Sequence, residues 1–83
     1  MPDLQQEREH LAQADKHIAE GDARVSEQMT LIERMTEQGQ DTVLANEFLR
    51  NLEQTLEQWH VHRQIILDEI ARLEAQGLDT PGP

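Results

Sequence analysis

The chain has 83 residues, no cysteine and a formal net charge of −10, from seven Lys and Arg against seventeen Asp and Glu. This length allows one small domain, and the lack of cysteine excludes disulfides and thiolate metal sites. The negative charge opposes direct binding to nucleic acid or to an anionic membrane surface, because affinity for phosphate comes from Lys and Arg.

The first predicted element is a helix over about residues 4–37. Asp3 is a good N-cap residue, and no proline interrupts the helix-forming sequence that follows it. A repeat of seven residues keeps one stripe of a helix facing a partner helix, as in a coiled coil. This repeat, called the ladder below, consists of Leu4, Leu11, Ile18, Val25 and Ile32.

A turn over residues 38–41 separates this helix from a second one, predicted over about residues 42–76. Gly39 suits a left-handed position after the first helix, and Asp41 or Thr42 suits the N-cap of the second. Stop and start signals this close together make the two helices antiparallel neighbours. The stripe of the second helix consists of Ala45, Leu49, Leu52, Leu56, Trp59, Arg63, Ile66, Ile70 and Leu73, with Arg63 as its polar member.

The chain after the second helix is predicted to end its regular structure at Gly77 and Leu78, in a Schellman-type turn, and to continue as a disordered tail over 78–83. The whole chain is therefore expected to be a single α-hairpin domain, 1–83. The fold class is all-α, a coiled-coil-like antiparallel hairpin of two helices.

The register of the hairpin follows from the turn, since facing residues have numbers that sum to about 77–82. This places Trp59 opposite Ile18 and Gly21, and it places Arg8 near Glu74. A glycine inside a helix costs about 1 kcal/mol relative to alanine, so Gly21 needs a reason. Room for the Trp59 ring is one reason, and a kink or local break in the first helix is the alternative.

Several apolar residues lie beside or behind these stripes: Met29, Leu44, Val61, Ile65 and Leu67. A lone two-helix hairpin would leave them in water, and large apolar patches on small proteins mark interfaces. The sequence therefore predicts self-association, as a homodimer that forms a closed four-helix bundle.

The histidines are the candidates for metal binding or acid–base chemistry. His17 and His62 flank the stripes at positions that should meet each other across the antiparallel helices. Together with a carboxylate such as Glu20 they could hold Zn²⁺, or the two imidazoles could form a pH-sensitive contact. The Glu-x-x-His spacing of di-iron bundles occurs at Glu7 and again at Glu57. We predict instead that the histidines are flanking residues with no ligand, and that the chain has no metal, no cofactor and no catalytic residue.

Arg63 departs from the apolar pattern of the second stripe. A charged group at such a position either pairs with an acid, such as Asp15 or Glu20, and sets the register, or extends along its aliphatic stem to the surface. Gly21, Trp59 and Arg63 together are the predicted packing and register site.

Three parts of the sequence carry a resemblance to other proteins: the segments 10–21 (HLAQADKHIAEG) and 38–42 (QGQDT), and the pair His62-Arg63. They resemble a group of short proteobacterial helical-hairpin proteins, which share an Asp-x-His-Ile-Ala-x-Gly segment, a central Gly-x-Asp-Thr turn and a late His-Arg pair. The resemblance covers roughly residues 10–70. It implies that His17, Gly21 and the His62-Arg63 pair belong together, and it implies no activity.

The expected function is that of a small, acidic, non-enzymatic adaptor or regulator that acts through protein–protein contacts. Its expected partners are a second copy of itself and a basic protein surface. One alternative is an inhibitor whose acidic face imitates nucleic acid, and another is a metal-binding bundle that uses His17, His60 and His62. The start of the sequence lacks the regions of a signal peptide and no apolar run is long enough to cross a bilayer, so we expect a cytoplasmic location.

Overall fold

A computed structural model describes residues 3–77 of the chain. It contains two helices, α1 (Leu4–Glu37) and α2 (Val43–Ala75), which pack against each other as an antiparallel hairpin. The molecule is a rod of 69 × 16 × 14 Å. The predicted fold class is confirmed: the described residues form an all-α hairpin. Leu78 and the tail predicted to be disordered lie outside the described residues.

The starts of both helices are capped by short polar side chains. The Asp3 carboxylate accepts the Gln6 backbone N–H at 2.7 Å, as an N-cap residue should. At the second helix, Thr42 occupies the N-cap position but its side chain makes no capping bond. Asp41 supplies the bond instead, accepting the Val43 N–H at 3.0 Å. Thr42 thus holds the N-cap position and Asp41 makes the capping bond, and the helix begins at Val43.

The turn between the helices depends on Gly39, whose φ of +71° lies in the left-handed region that favours glycine. Its N–H donates to the Thr36 carbonyl at 3.0 Å, and the Gln40 N–H donates to the Met35 carbonyl at 2.9 Å. These two bonds are those of a Schellman motif, and they satisfy carbonyls that a helix end would otherwise leave unpaired. Gly77 has the same φ of +71° after α2.

The contact face of α1 has two rows, of which the ladder is only one. The second row lies three residues after each ladder residue and is buried or half-buried, and its members are Glu7, Ala14, Gly21, Gln28 and Met35. Four of the five are small or polar, so the hydrophobic pattern of the sequence does not mark this row as a contact row. The signal that could have found them is the step of three that accompanies every step of seven in a coiled-coil seam.

The buried core lies at the open end of the hairpin, away from the turn. Its buried apolar residues among 3–77 are Leu4, Ala14, Ile66, Ile70 and Leu73, with Leu11 and Trp59 packed against them. Toward the turn a polar contact takes over: the buried Gln28 amide donates to the Ala45 carbonyl at 2.9 Å. The half of the hairpin near the turn therefore depends less on apolar burial than the open half does.

Contacts between the helices agree with the predicted register. The Arg8 guanidinium lies 3.8 Å from the Glu74 carboxylate, as the register places them. Asp15 meets Arg63, also within the expected range of sums. The ends of the hairpin and its middle thus share one register.

Gly21 lies within α1, which continues through it without a break. The side chain over Gly21 is that of Leu56: an ideal Cβ built on Gly21 would lie 2.9 Å from the Leu56 Cδ1 atom. The expectation that Trp59 occupies this space is therefore wrong, and so is a local break in the first helix. Leu56 lies one helical turn before Trp59 on the same face of α2, and its side chain is the one that lies over Gly21.

The contact between Gly21 and Leu56 can be measured by a double-mutant cycle. In the wild-type background, Gly21→Ala should leave the free energy of unfolding nearly unchanged, because a helix gain of about 1 kcal/mol is offset by the displaced Leu56 methyl. In a Leu56→Ala background the same change should stabilise by about 1 kcal/mol. Urea denaturation of the four proteins gives the coupling, and equal effects in both backgrounds would show that the two residues do not interact.

Candidate functional site

The single tryptophan lies between two histidines near the middle of the hairpin. The rings of His17 and Trp59 stack with centroids 4.2 Å apart and an interplanar angle of 13°. His62 meets the same indole edge-on, at 5.6 Å and 73°. The sequence predicts that His17 and His62 meet each other across the helices, whereas the structure brings both of them onto Trp59.

Beside this aromatic cluster is a depression of about 200 Å³. Its walls come from both helices, and it is lined by His17, Glu20, Gly21, Arg24, Leu52, Thr55, Leu56 and Trp59. Small-molecule and cofactor pockets usually measure about 300–1,000 Å³. The depression is therefore better matched to one side chain of a protein partner than to a cofactor.

Arg63 lies in the α2 stripe and reaches the edge of the contact face. Its Nε–H donates to the Asp15 carboxylate at 2.6 Å, and the two side chains are 39% and 53% exposed. Both interpretations of Arg63 therefore hold in part, since it pairs with an acid while extending toward water. Asp15 and His17 are two residues apart on α1 and so point to opposite sides, which places the Arg63 pair away from the depression at Gly21 and Trp59.

The residues of the metal hypothesis do not converge. Among residues 3–77, no group of three or more His, Cys, Asp or Glu side chains is placed to hold a metal ion. The His17 Nδ1 atom lies 3.9 Å from a Glu20 carboxylate oxygen, a contact of one imidazole with one carboxylate. The two Glu-x-x-His motifs also lie apart, because Glu7 is buried between the helices and Glu57 lines the outer surface of α2.

The two edges of the contact face differ in charge. In a seven-residue repeat, one position of each helix adjoins the seam on each side, and a second position lies beyond it on the same side. The side that holds the His17–Trp59 stack, called the neutral flank below, carries three arginines against three glutamates, namely Arg24, Arg34, Arg72, Glu20, Glu27 and Glu69. It also carries three of the four histidines, namely His10, His17 and His62.

The opposite side of the seam, called the acidic flank below, holds most of the unbalanced charge beside the seam. Its carboxylates are Asp15, Asp22, Glu33, Glu53, Glu57 and Glu74, against Arg8 and Arg50 of the flank itself and Arg63, which reaches it from the seam. Arg63 and Arg8 lie beside Asp15 and Glu74 on this flank. The net charge of −10 is thus distributed unevenly around the hairpin.

Neither helix of the described region has an apolar stretch long enough to cross a bilayer. Comparison with protein-family models, with curated proteins and with solved structures finds no match for the chain. The resemblance to short proteobacterial hairpins therefore stays a prediction. Function has to be inferred from the geometry of the hairpin itself.

The pair formed by Arg63 and Asp15 should contribute little to stability, because both groups are half-exposed. We expect Asp15→Asn to cost less than about 1 kcal/mol. We expect Arg63→Leu, which places an apolar residue in the stripe, to leave the free energy of unfolding equal or raised by about 1 kcal/mol. Urea denaturation measures both. A loss of more than about 2 kcal/mol for Arg63→Leu, but not for Asp15→Asn, would instead assign a register role to the arginine.

A second ion pair gives a pH-dependent signal. The Arg72 guanidinium, hydrogen-bonded to the Glu69 carboxylate, lowers the pKa of Glu69 below its ordinary value. A lowered carboxyl pKa favours the folded state above the pKa of the unfolded chain, and this contribution is lost as pH falls through the folded pKa. NMR titration of the side-chain carboxyl carbons should show Glu69 titrating below the exposed glutamates. Arg72→Gln should return it to the ordinary range, while Arg50→Gln should leave it unchanged.

Proposed function

We propose that the protein is a non-enzymatic interaction protein, an adaptor or regulator, whose working unit is a homodimer of hairpins forming a four-helix bundle. The observation that carries this proposal is the amount of apolar surface that one hairpin leaves in water. Among residues 3–77, the large apolar side chains exposed by about half or more are Met29, Leu31, Val43, Leu44, Phe48, Val61 and Ile65.

This exposure has a physical consequence for a chain of 83 residues. Small domains bury a low fraction of their surface, and oligomerisation is a common remedy. Contiguous exposed apolar surface on a small protein marks an interaction site. A second hairpin supplies two further helices, which is the number that closes a four-helix bundle around a shared core.

The acidic surface suggests the second part of the role. A dimer of this chain would present its excess carboxylates to solvent, and such a surface attracts a basic protein partner by electrostatic steering. The ion pairs of Arg63 with Asp15 and of Arg8 with Glu74 interrupt the row of acids on the acidic flank. An adaptor with a general acidic surface fits this pattern better than a regular imitation of nucleic acid phosphates.

The proposed dimer can be tested by its mass in solution. Light scattering at micromolar concentration should give about twice the chain mass of 9.6 kDa. The urea midpoint should also rise with protein concentration, because unfolding then includes dissociation. A mass of one chain together with a concentration-independent midpoint would overturn the proposal.

A further inference from the structure

We infer that the neutral flank is the face on which a second copy of this chain docks. This inference rests on the proposed dimer and adds to it the surface that forms the interface. It is carried by two independent features of that flank, its balanced charge and its share of the exposed apolar side chains.

The charges on the two flanks indicate which face a second copy contacts. Two copies of a chain with a net charge of −10 repel each other, and the repulsion is strongest where unbalanced acids face each other closely. Helices in a bundle pack about 8–10 Å apart, and charges farther apart than about 8 Å are largely screened at physiological salt. The charges on the facing flanks therefore decide the pairing. The neutral flank brings no net charge to the contact, whereas the acidic flank, with six carboxylates against Arg8, Arg50 and Arg63, would bring a net charge of −3 from each copy.

The order of charges along α1 also favours a second copy. Signs on the neutral flank alternate through Glu20, Arg24, Glu27 and Arg34. In a twofold dimer the same patch is present on both subunits, so the patch has to complement itself. An alternating row satisfies this condition, because each arginine can lie beside a glutamate of the other copy.

Apolar side chains are present at both ends of this flank. Leu31, Leu44 and Phe48 lie near the turn, and Ile65 lies toward the open end. These are four of the seven large apolar side chains exposed among residues 3–77. Balanced charge in the middle of the flank and apolar side chains toward its two ends thus lie on the same side of the rod.

The middle of the same flank holds the depression beside Trp59. Its volume of about 200 Å³ suits one side chain of the second copy. Clefts walled by an aromatic residue near the centre of an interface are typical sites of binding energy. Gly21 lines this depression together with Leu56, whose side chain lies over it.

Two pairs of variants test the apolar part of the inference, with exposure matched between flank and control. Phe48→Gln (54% exposed) is matched by Met29→Gln (57%), and Ile65→Gln (60%) by Val43→Gln (59%). Sedimentation equilibrium should show the dimer dissociation constant raised at least about tenfold by the two flank variants. The two controls, which lie on the acidic flank, should change it by less than about threefold.

A third pair tests the effect of charge on exposed arginines. Arg24→Glu and Arg50→Glu change the net charge equally, and each substitution replaces one exposed arginine of a helix. Only Arg24→Glu leaves the neutral flank unbalanced, so it should weaken the dimer at least about tenfold more than Arg50→Glu. The difference should shrink as salt is raised. Circular dichroism confirms that every variant compared remains helical.

The outcomes separate the two proposals. A wild-type chain that is monomeric at micromolar concentration overturns the dimer and this inference with it. A wild-type dimer that is weakened by Met29→Gln, Val43→Gln or Arg50→Glu as much as by the flank variants keeps the dimer and overturns the choice of face. Weakening confined to the flank variants supports both.

Discussion

The structure depends on the unequal contact between its two helices. On α2 the contact face is formed mainly by large apolar residues. On α1 the second row of contact residues is small or polar, apart from Met35. Burial is therefore deep only at the open end, around Leu73 and Ile66, and near the turn the Gln28 amide substitutes for apolar packing. Because one hairpin cannot bury its remaining apolar side chains, the same constraint leaves them exposed on its flanks.

The distribution of charge makes the two flanks of the hairpin different from each other. Net charge is a property of the whole chain, but pairing between long helices responds to the charges within a Debye length of the contact. On one flank Glu20 and Arg24 alternate in sign, and on the other Asp15 and Asp22 add to the same sign. A chain that is acidic overall can thus present one side on which like copies do not repel each other.

At the candidate site, residue spacing predicts which residues lie close together but not which side chains touch. The spacing predicts that Gly21, Trp59, His17 and His62 lie close together, and they do so in the middle of the hairpin. The spacing also includes Arg63 in that site, whereas Arg63 pairs with Asp15 on the other side of the seam. The spacing assigned the contacts within that region less well, because Leu56 and Trp59 are one turn apart on the same face and only packing decides which one meets Gly21. Stacking of a histidine on the indole also depends on side-chain rotamers, which spacing in the sequence does not specify.

From the sequence alone one can predict the two helices, the N-cap at Asp3, the left-handed turn at Gly39 and the antiparallel register. These follow from local backbone preferences and from the seven-residue period, which act over a few residues. Packing between the helices, by contrast, determines that Glu7 and Gln28 are buried, that Leu56 covers Gly21, and where the depression lies. Those features depend on the distance between two helix axes and on side-chain shapes across them, and neither is encoded in the spacing of residues along one helix.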